Sequence, residues 1–228
     1  MLSELFKESL ATSGVSLRNG PDDFTRSHLK WANTRSANLL SGVTAYGLAP
    51  ALGLGGLHWA GHSYGEGKDR AVDALIMTEA VLVASSFNQL VKFWVKRERP
   101  LVRDLTPADR SALDDPGDEN LSFYSGHTSF AFAIATSATT VAWMRGYSGA
   151  PWILAGGLAI AGTTGYLRIA ADKHYLSDVL VGAVVGSAFG FAIPYLFHKP
   201  SDSAGEARAS MTVSPGVGTQ LVQFSWNW

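Results

Sequence analysis

Three long apolar segments, 128–144, 150–167 and 179–197, contain no charged residue. Each has the length of a helix that buries most of its surface or meets lipid. The last carries Gly182, Gly186 and Gly190 at four-residue spacing, which puts the glycines on one helical face and predicts close approach of a neighbouring helix. Upstream, 71–95 reads as a long helix, although Asp73, Glu79, Asn88 and Gln89 fall inside it. From Ser36 to Gly61 there is no Asp, Glu, Lys or Arg, but Pro50 and several glycines are expected to break that stretch up. Residues 1–35 are polar. Leu2, Leu5, Phe6 and Leu10 share one face of a short amphipathic helix, and Asp22 and Asp23 after Pro21 suit the start of a second. Residues 101–121, with Pro107 and Pro116, read as an acidic loop and 199–209 as a polar linker. At the end the period changes to two: Val222, Phe224, Trp226 and Trp228 alternate with Gln223, Ser225 and Asn227. That is a strand, paired with 211–213 across Pro215-Gly216. Its apolar face needs a cover, and docking on the helical body, at the end where 179–197 finishes, is expected.

The pattern predicts an all-α fold, a bundle of about six helices with a short C-terminal β-hairpin. Three stretches divide the chain: an N-terminal polar segment (1–35), a helical domain (36–198), and a linker with hairpin (199–228). Composition narrows the picture. Charged residues are 16% of the 228, below the roughly 25% of soluble domains, while the mean hydropathy of +0.09 is modest for a protein with many spans. Segments 37–60, 128–144, 150–167 and 179–197 are expected to span a membrane, with 71–95 as a fifth only if Asp73 and Glu79 face the bundle interior. A soluble or peripheral bundle is the alternative. The N-terminus lacks the basic start and unbroken apolar core of a secretory signal, so insertion is expected from an internal helix or a signal already removed. A net charge of −1 gives no reason to expect nucleic acid as a partner. The absence of cysteine excludes disulfides and thiolate zinc sites.

Three polar clusters sit at the ends of the apolar helices. The first is Lys92, Lys96, Arg97 and Arg99-Pro100. Lys92 and Arg99 are two helical turns apart, on one face if the helix continues, and such a face either snorkels or holds an anion. The second, Ser125-Gly126-His127, opens a helix with exposed N–H groups, a hydroxyl and the positive dipole end, a geometry that serves equally as a plain N-cap or an anion cradle. The third is Arg168, His174 and Asp178. A carboxylate four residues from an imidazole fixes its tautomer and leaves the other nitrogen free as a nucleophile, or else closes a helix start. If successive helices alternate in direction, all three clusters meet at one end of the bundle. Together they supply cations for equatorial phosphoryl oxygens, a nucleophile and an acid.

The spacings Lys-x6-Arg-Pro, Ser-Gly-His and Arg-x5-His-x3-Asp resemble the three-part signature of the type-2 phosphatidic-acid phosphatase and vanadium-haloperoxidase superfamily. Tyr124 stands where that family has Pro, and Leu167 where it has Ser. The resemblance implies that Lys92, Arg99, Ser125, Gly126 and Arg168 bind phosphate, that His174 attacks phosphorus, that Asp178 orients it, and that His127 protonates the leaving group. It implies a phosphatase acting on a phosphorylated lipid or small phosphate ester through a phosphohistidine. No metal or other cofactor is expected, and vanadate is expected as an inhibitor. A bacterial-type membrane with the site facing the periplasm or outside follows from the same resemblance. A vanadate-dependent haloperoxidase and a soluble non-specific acid phosphatase on the same scaffold are alternatives, as is a non-catalytic helical membrane protein. The acidic run Asp114, Asp115, Asp118 and Glu119 fits no calcium loop and is expected to be a solvated surface.

Overall fold

A computed structural model describes residues 20–62, 70–106, 109–110, 118–199, 209–215 and 220–226, the last two stretches by backbone alone. Six long helices are described: α1 (Gly20–Leu29), α2 (Thr34–His62), α3 (Arg70–Val95), α4 (Gly126–Met144), α5 (Ala150–Ala170) and α6 (Leu176–His198). The amphipathic helix expected around Leu2–Leu10 lies outside the described residues. So do 107–108 and 111–117 of the acidic loop.

α1 begins at Gly20 with Pro21, Asp22 and Asp23 in its first turn, where carboxylates meet the positive helix end. α2 is capped by Asn33, whose Oδ1 accepts from Ser36 N–H at 3.0 Å. Contrary to expectation, Pro50 and the glycines do not interrupt it. Residues Val43–Leu48 form a π-helical segment, and Ala49 N–H bonds to Thr44 O. A proline ring collides with the carbonyl four residues back, and the widened turn ahead of Pro50 lets the helix pass.

α4 is the hub, packed by α2, α3, α5 and α6. Leu57, Ile76, Met77, Val81, Ile134, Val141 and Ile153 form the main core. The glycine face of α6 lies on α4, where a Cβ at Gly182 would come 2.8 Å from Ser125 O and one at Gly186 would collide with Ser129 O. Four helices, α2, α3, α5 and α6, are long and apolar enough to cross a membrane; α4 is not among them. The reason lies in its position. Surrounded by other helices, α4 carries Thr136, Ser137, Thr139 and Thr140, whose hydroxyls bond back to carbonyls of its own backbone. The two acidic residues of α3 have partners. Asp73, buried, accepts from Arg145 Nε at 2.8 Å and Tyr147 hydroxyl at 3.2 Å, and Glu79 pairs with His198 at 2.7 Å.

The chain from 199 onward forms a separate unit. Its antiparallel hairpin, β1 (Ala209–Pro215) and β2 (Gln220–Trp226), pairs Val213 with Val222 and Met211 with Phe224. The side chains of this unit, and hence the expected docking face, lie outside the described residues.

Candidate active site

The ends of α3 and α5, the starts of α2 and α4 and the loop before α6 surround a cavity of about 660 Å³. Six of the eight expected site residues line it: Lys92, Arg99, Gly126, His127, Arg168 and His174. Ser125 and Asp178 stand behind, both fully buried.

The first cluster arrives by a different route from the one its spacing suggests. α3 ends at Val95, Lys96 adopts a left-handed conformation (φ 48°), and Arg99 is extended (φ −74°, ψ 150°). Pro100 disfavours the helical conformation for the residue before it, so Arg99 cannot share a helical face with Lys92. Lys92 reaches the cavity from the last turn of α3 and Arg99 from the strand-like segment beyond. Arg99 donates to Asp118, Nε to the carbonyl at 2.8 Å and Nη2 to Oδ1 at 2.5 Å. The expectation of a wholly solvated acidic run is therefore corrected. Asp118 lines the cavity on Arg99, and Glu119 is buried with its carbonyl accepting Arg99 N–H at 2.7 Å. Asp118 keeps a partly exposed side chain while it pairs with Arg99. Asp114 and Asp115 lie outside the described residues.

Ser125 is the N-cap of α4. Its hydroxyl accepts from Thr128 N–H at 3.5 Å and bonds Thr128 Oγ1 at 2.9 Å, so the cavity sees Gly126 and His127 instead. A Cβ at Gly126 would come 2.9 Å from Asn88 Oδ1 and 3.6 Å from Lys92 Nζ, so a side chain here would push on Asn88. The His127 ring packs on Tyr46 of α2, with centroids 4.7 Å apart. Tyr124, at the first departure from the signature, is buried and accepts Asn88 Nδ2 through its carbonyl at 2.9 Å. Leu167, at the second, packs with Ala37, Ala170 and Ala171.

Arg168 sits in the last turn of α5, 3% exposed, with Nη1 donating to Asn38 Oδ1 at 2.7 Å and Ser41 Oγ at 3.0 Å. His174 precedes α6 rather than lying on it. Its Nδ1 stands 3.7 Å from Asp178 Oδ2, an ion-pair distance but longer than a hydrogen bond, and has no hydrogen-bond partner among the described residues. Asp178 is engaged elsewhere: Oδ1 accepts Arg97 Nη1 at 2.6 Å, and Oδ2 accepts Ser122 hydroxyl at 2.6 Å and Tyr175 N–H at 2.9 Å. Burial, then the cations Arg168, Arg99 and Lys92, hold the His174 imidazole well below its usual 6.5, so it is neutral at neutral pH. Four cations (Lys92, Arg99, Arg168 and Lys173), one carboxylate and two imidazoles on one cavity suit an anion with several oxygens.

Asn38, Ser41, Tyr46 and Asp118 escape a reading by motif, as do Asp22 and Ser122. The polar positions Asn38 and Ser41, three apart in the stretch 36–61 that has no Asp, Glu, Lys or Arg, are a signal that could have pointed to α2.

A family model described as the PAP2 superfamily matches residues 73–202. A lipid A 1-phosphatase of Porphyromonas gingivalis is 42% identical over 69 residues, 30% of this chain and 15% of that protein. Phospholipid phosphatase 2 of Rattus norvegicus is 29% identical over 125 residues, 46% of this chain and 45% of the relative. The chain thus spans less than half the length of these curated relatives. Among solved structures, a transmembrane PAP2-type phosphatidylglycerolphosphate phosphatase from Bacillus subtilis shares the fold, with a TM-score of 0.52 at 19% identity over 88% of this chain and 96% of that one. The family model covers more than half of the sequence and the whole stretch from Lys92 to Asp178, and on that ground the chain belongs to the PAP2 superfamily.

Proposed function

We propose that this protein is a membrane-bound phosphatase that hydrolyses a phosphate monoester or diphosphate of a lipid through a phosphohistidine. The observation that carries the reading is the neutral, buried His174 facing a cavity lined by Lys92, Arg99 and Arg168. The three cations hold the nonbridging oxygens as charge develops on them. Nδ1 stands beside Asp178, so the opposite nitrogen, Nε2, attacks phosphorus. Burial, then the cations Arg168, Lys92 and Arg99, hold His127 down to about 3 before substrate binds. It takes up its proton as the bound phosphate dianion offsets those cations. The P–O bond to the leaving group then breaks, and His127 gives that oxygen its proton. Neutral His127 then takes a proton from water as the hydroxide oxygen bonds phosphorus and the P–N bond breaks, releasing phosphate and restoring both histidines. The side-chain cations do the work a divalent metal does elsewhere, so no metal enters the scheme.

Lipid is favoured as substrate because the cavity is reached beside exposed Leu39, Val43 and Tyr46 of an apolar helix, and because the named relatives are lipid phosphatases. The resemblance to the family orients the catalytic end toward the periplasm or outside. The chain has no cysteine, so a Thr106→Cys variant labelled by an impermeant maleimide in intact cells reads that orientation. The test of the function is phosphate release from a panel of lipid and soluble phosphates, with and without EDTA. Turnover is expected to be unaffected by EDTA, inhibited competitively by vanadate, and absent in His174→Ala. Turnover that needs added magnesium, or that survives in His174→Ala, overturns the mechanism.

A further inference from the structure

α1 lies wholly outside the residues that the family model matches, yet it grips the loop that carries the proposed nucleophile. Trp31, just after α1, donates its N–H to Ala170 O at 3.0 Å and its indole N–H to the Tyr166 hydroxyl at 2.9 Å. Arg26 forks onto Asp172, Nε to Oδ1 at 2.7 Å and Nη2 to Oδ2 at 3.0 Å, and Lys30 Nζ reaches Oδ2 at 2.8 Å. Asp22, 1% exposed, accepts Ser177 N–H at 2.8 Å, Ser177 hydroxyl at 2.7 Å and Arg97 Nη2 at 2.8 Å. The segment between Arg168 and Asp178 is thus held at both ends and in the middle by α1 and the two residues that follow it.

Of these contacts, that of Asp22 reaches the catalytic carboxylate. Arg97 is 3% exposed and stands between two buried carboxylates. Nη2 donates to Asp22, and Nη1 donates to Asp178 Oδ1 at 2.6 Å and to Ser177 Oγ at 2.7 Å. Its guanidinium also lies 4.2 Å from the centroid of the Tyr175 ring. A cation shared by two carboxylates is held in place by both, and loss of one draws it onto the other. Asp178 Oδ2 is 3.7 Å from His174 Nδ1, and an attacking imidazole needs an acceptor for that N–H at hydrogen-bond distance. We propose that Asp22 is a positioning residue for His174: through Arg97 and Ser177 it sets where the Asp178 carboxylate stands beside the imidazole. With Asp22 uncharged, the pull on Arg97 from that side weakens and the guanidinium shifts toward Asp178, which holds that carboxylate back from the ring and offsets more of its charge. The inference rests on the reading of His174 as nucleophile.

The test is Asp22→Asn in the full chain, assayed with p-nitrophenyl phosphate across pH. The variant keeps the shape of the side chain and an acceptor for Ser177 N–H, and removes the charge. The expected loss is roughly 10- to 100-fold in kcat with KM little changed, the scale of a catalytic group displaced by about 1 Å. The acid limb of kcat should also move to lower pH, because negative charge has been withdrawn from beside the imidazole. The other charged groups facing His174 are unchanged: Lys92 from α3, Arg99 from the segment after it, His127 from α4, Arg168 from α5 and Asp178 from α6. A folding defect scales every point of the profile equally and leaves the limb in place. A uniform loss, or none, therefore overturns the inference. Should Asp22→Asn fail to fold, Ser177→Ala replaces it, since it removes one of the two links and keeps both carboxylates. A fall in kcat at unchanged KM then supports the proposal, and wild-type kcat overturns it. His174→Ala run in parallel separates the two levels. If it is inactive while Asp22→Asn behaves as wild type, only the positioning role falls; if it is active, the nucleophile assignment itself falls.

Discussion

His127 and His174 face the same cavity in different surroundings, and their variants should differ accordingly. His127 rests on the Tyr46 ring at the cavity wall, where a leaving group can meet it. His127→Ala should lose about 10²- to 10⁴-fold in kcat on an alkyl phosphate, which leaves as a strong base, and far less on p-nitrophenyl phosphate. Equal losses on the two substrates would remove His127 as the acid. His174 is buried, and its imidazole is held well below 6.5. Below pH 6.5 the unfolded chain therefore binds a proton there that the folded chain refuses, so ν_U exceeds ν_N and stability falls as pH falls from 6.5 toward the folded value. His174→Gln cannot titrate, so its melting temperature in detergent should depend less on pH between 6.5 and 4.5 than that of the wild type. Parallel curves would show that the imidazole is not the group responsible. At this scale the sequence was legible where chemistry demands a residue type at fixed spacing, as in Lys92, Arg99, Arg168 and His174. It was silent on Asn38 and Tyr46 of α2, and read Asp22 only as a helix start and Asp118 as solvated, because each reaches this end of the bundle through contacts that spacing does not encode.

Among the elements, α6 and α4 show how glycine spacing becomes geometry. The Gly182, Gly186 and Gly190 face was read as a seam for close approach, and it lies against backbone atoms of Ser125, Ser129 and Ala133. Backbone cannot swing aside as a side chain can. Gly186→Ala should therefore cost about 1–3 kcal/mol as overpacking, and it should lower activity as well, since the same seam places Ser125 and His127 beside the start of α6. Gly55→Ala in α2, where a Cβ meets nothing within 4 Å, is the matched control and should leave the melting temperature unchanged or raise it. An unchanged melting temperature for Gly186→Ala would mean the seam is looser than the structure has it. The elements misread from sequence went wrong for local reasons. Pro50 was taken as a break, but the π-helical turn ahead of it carries α2 through. Lys92 and Arg99 were placed on one helix face, but Lys96 and Pro100 end the helix between them. Helix boundaries respond to single-residue backbone chemistry that an apolar pattern averages away.

Across the whole molecule, the outer surface of the helical unit argues for lipid around it. Leu39, Leu75, Leu82, Leu90, Val184 and Leu196 are exposed on α2, α3 and α6. Exposed Trp94 marks the catalytic end, and Trp59, Trp143 and Trp152 the other, the distribution of aromatic side chains at two membrane interfaces. The modest mean hydropathy of the chain is explained by its polar ends and by α4, whose serines and threonines are enclosed by other helices, so average hydropathy understated the apolar surface. A substitution separates a membrane-spanning bundle from a soluble one. Leu82 lies in the middle of α3, 62% exposed, and Val184 in the middle third of α6, 68% exposed. In water, Leu82→Arg or Val184→Arg on such a surface would be neutral within about 0.5 kcal/mol and would improve solubility. In a bilayer each places a charge near mid-depth, at an apparent insertion cost of about 2.5–3.5 kcal/mol per residue. Both variants should therefore show reduced yield in the membrane fraction and a lower melting temperature in detergent. Thr106→Arg, exposed beyond the apolar band, should show neither. If the two mid-helix arginines instead leave yield unchanged and bring the protein into the detergent-free supernatant, the exposed leucines face water and the membrane assignment fails.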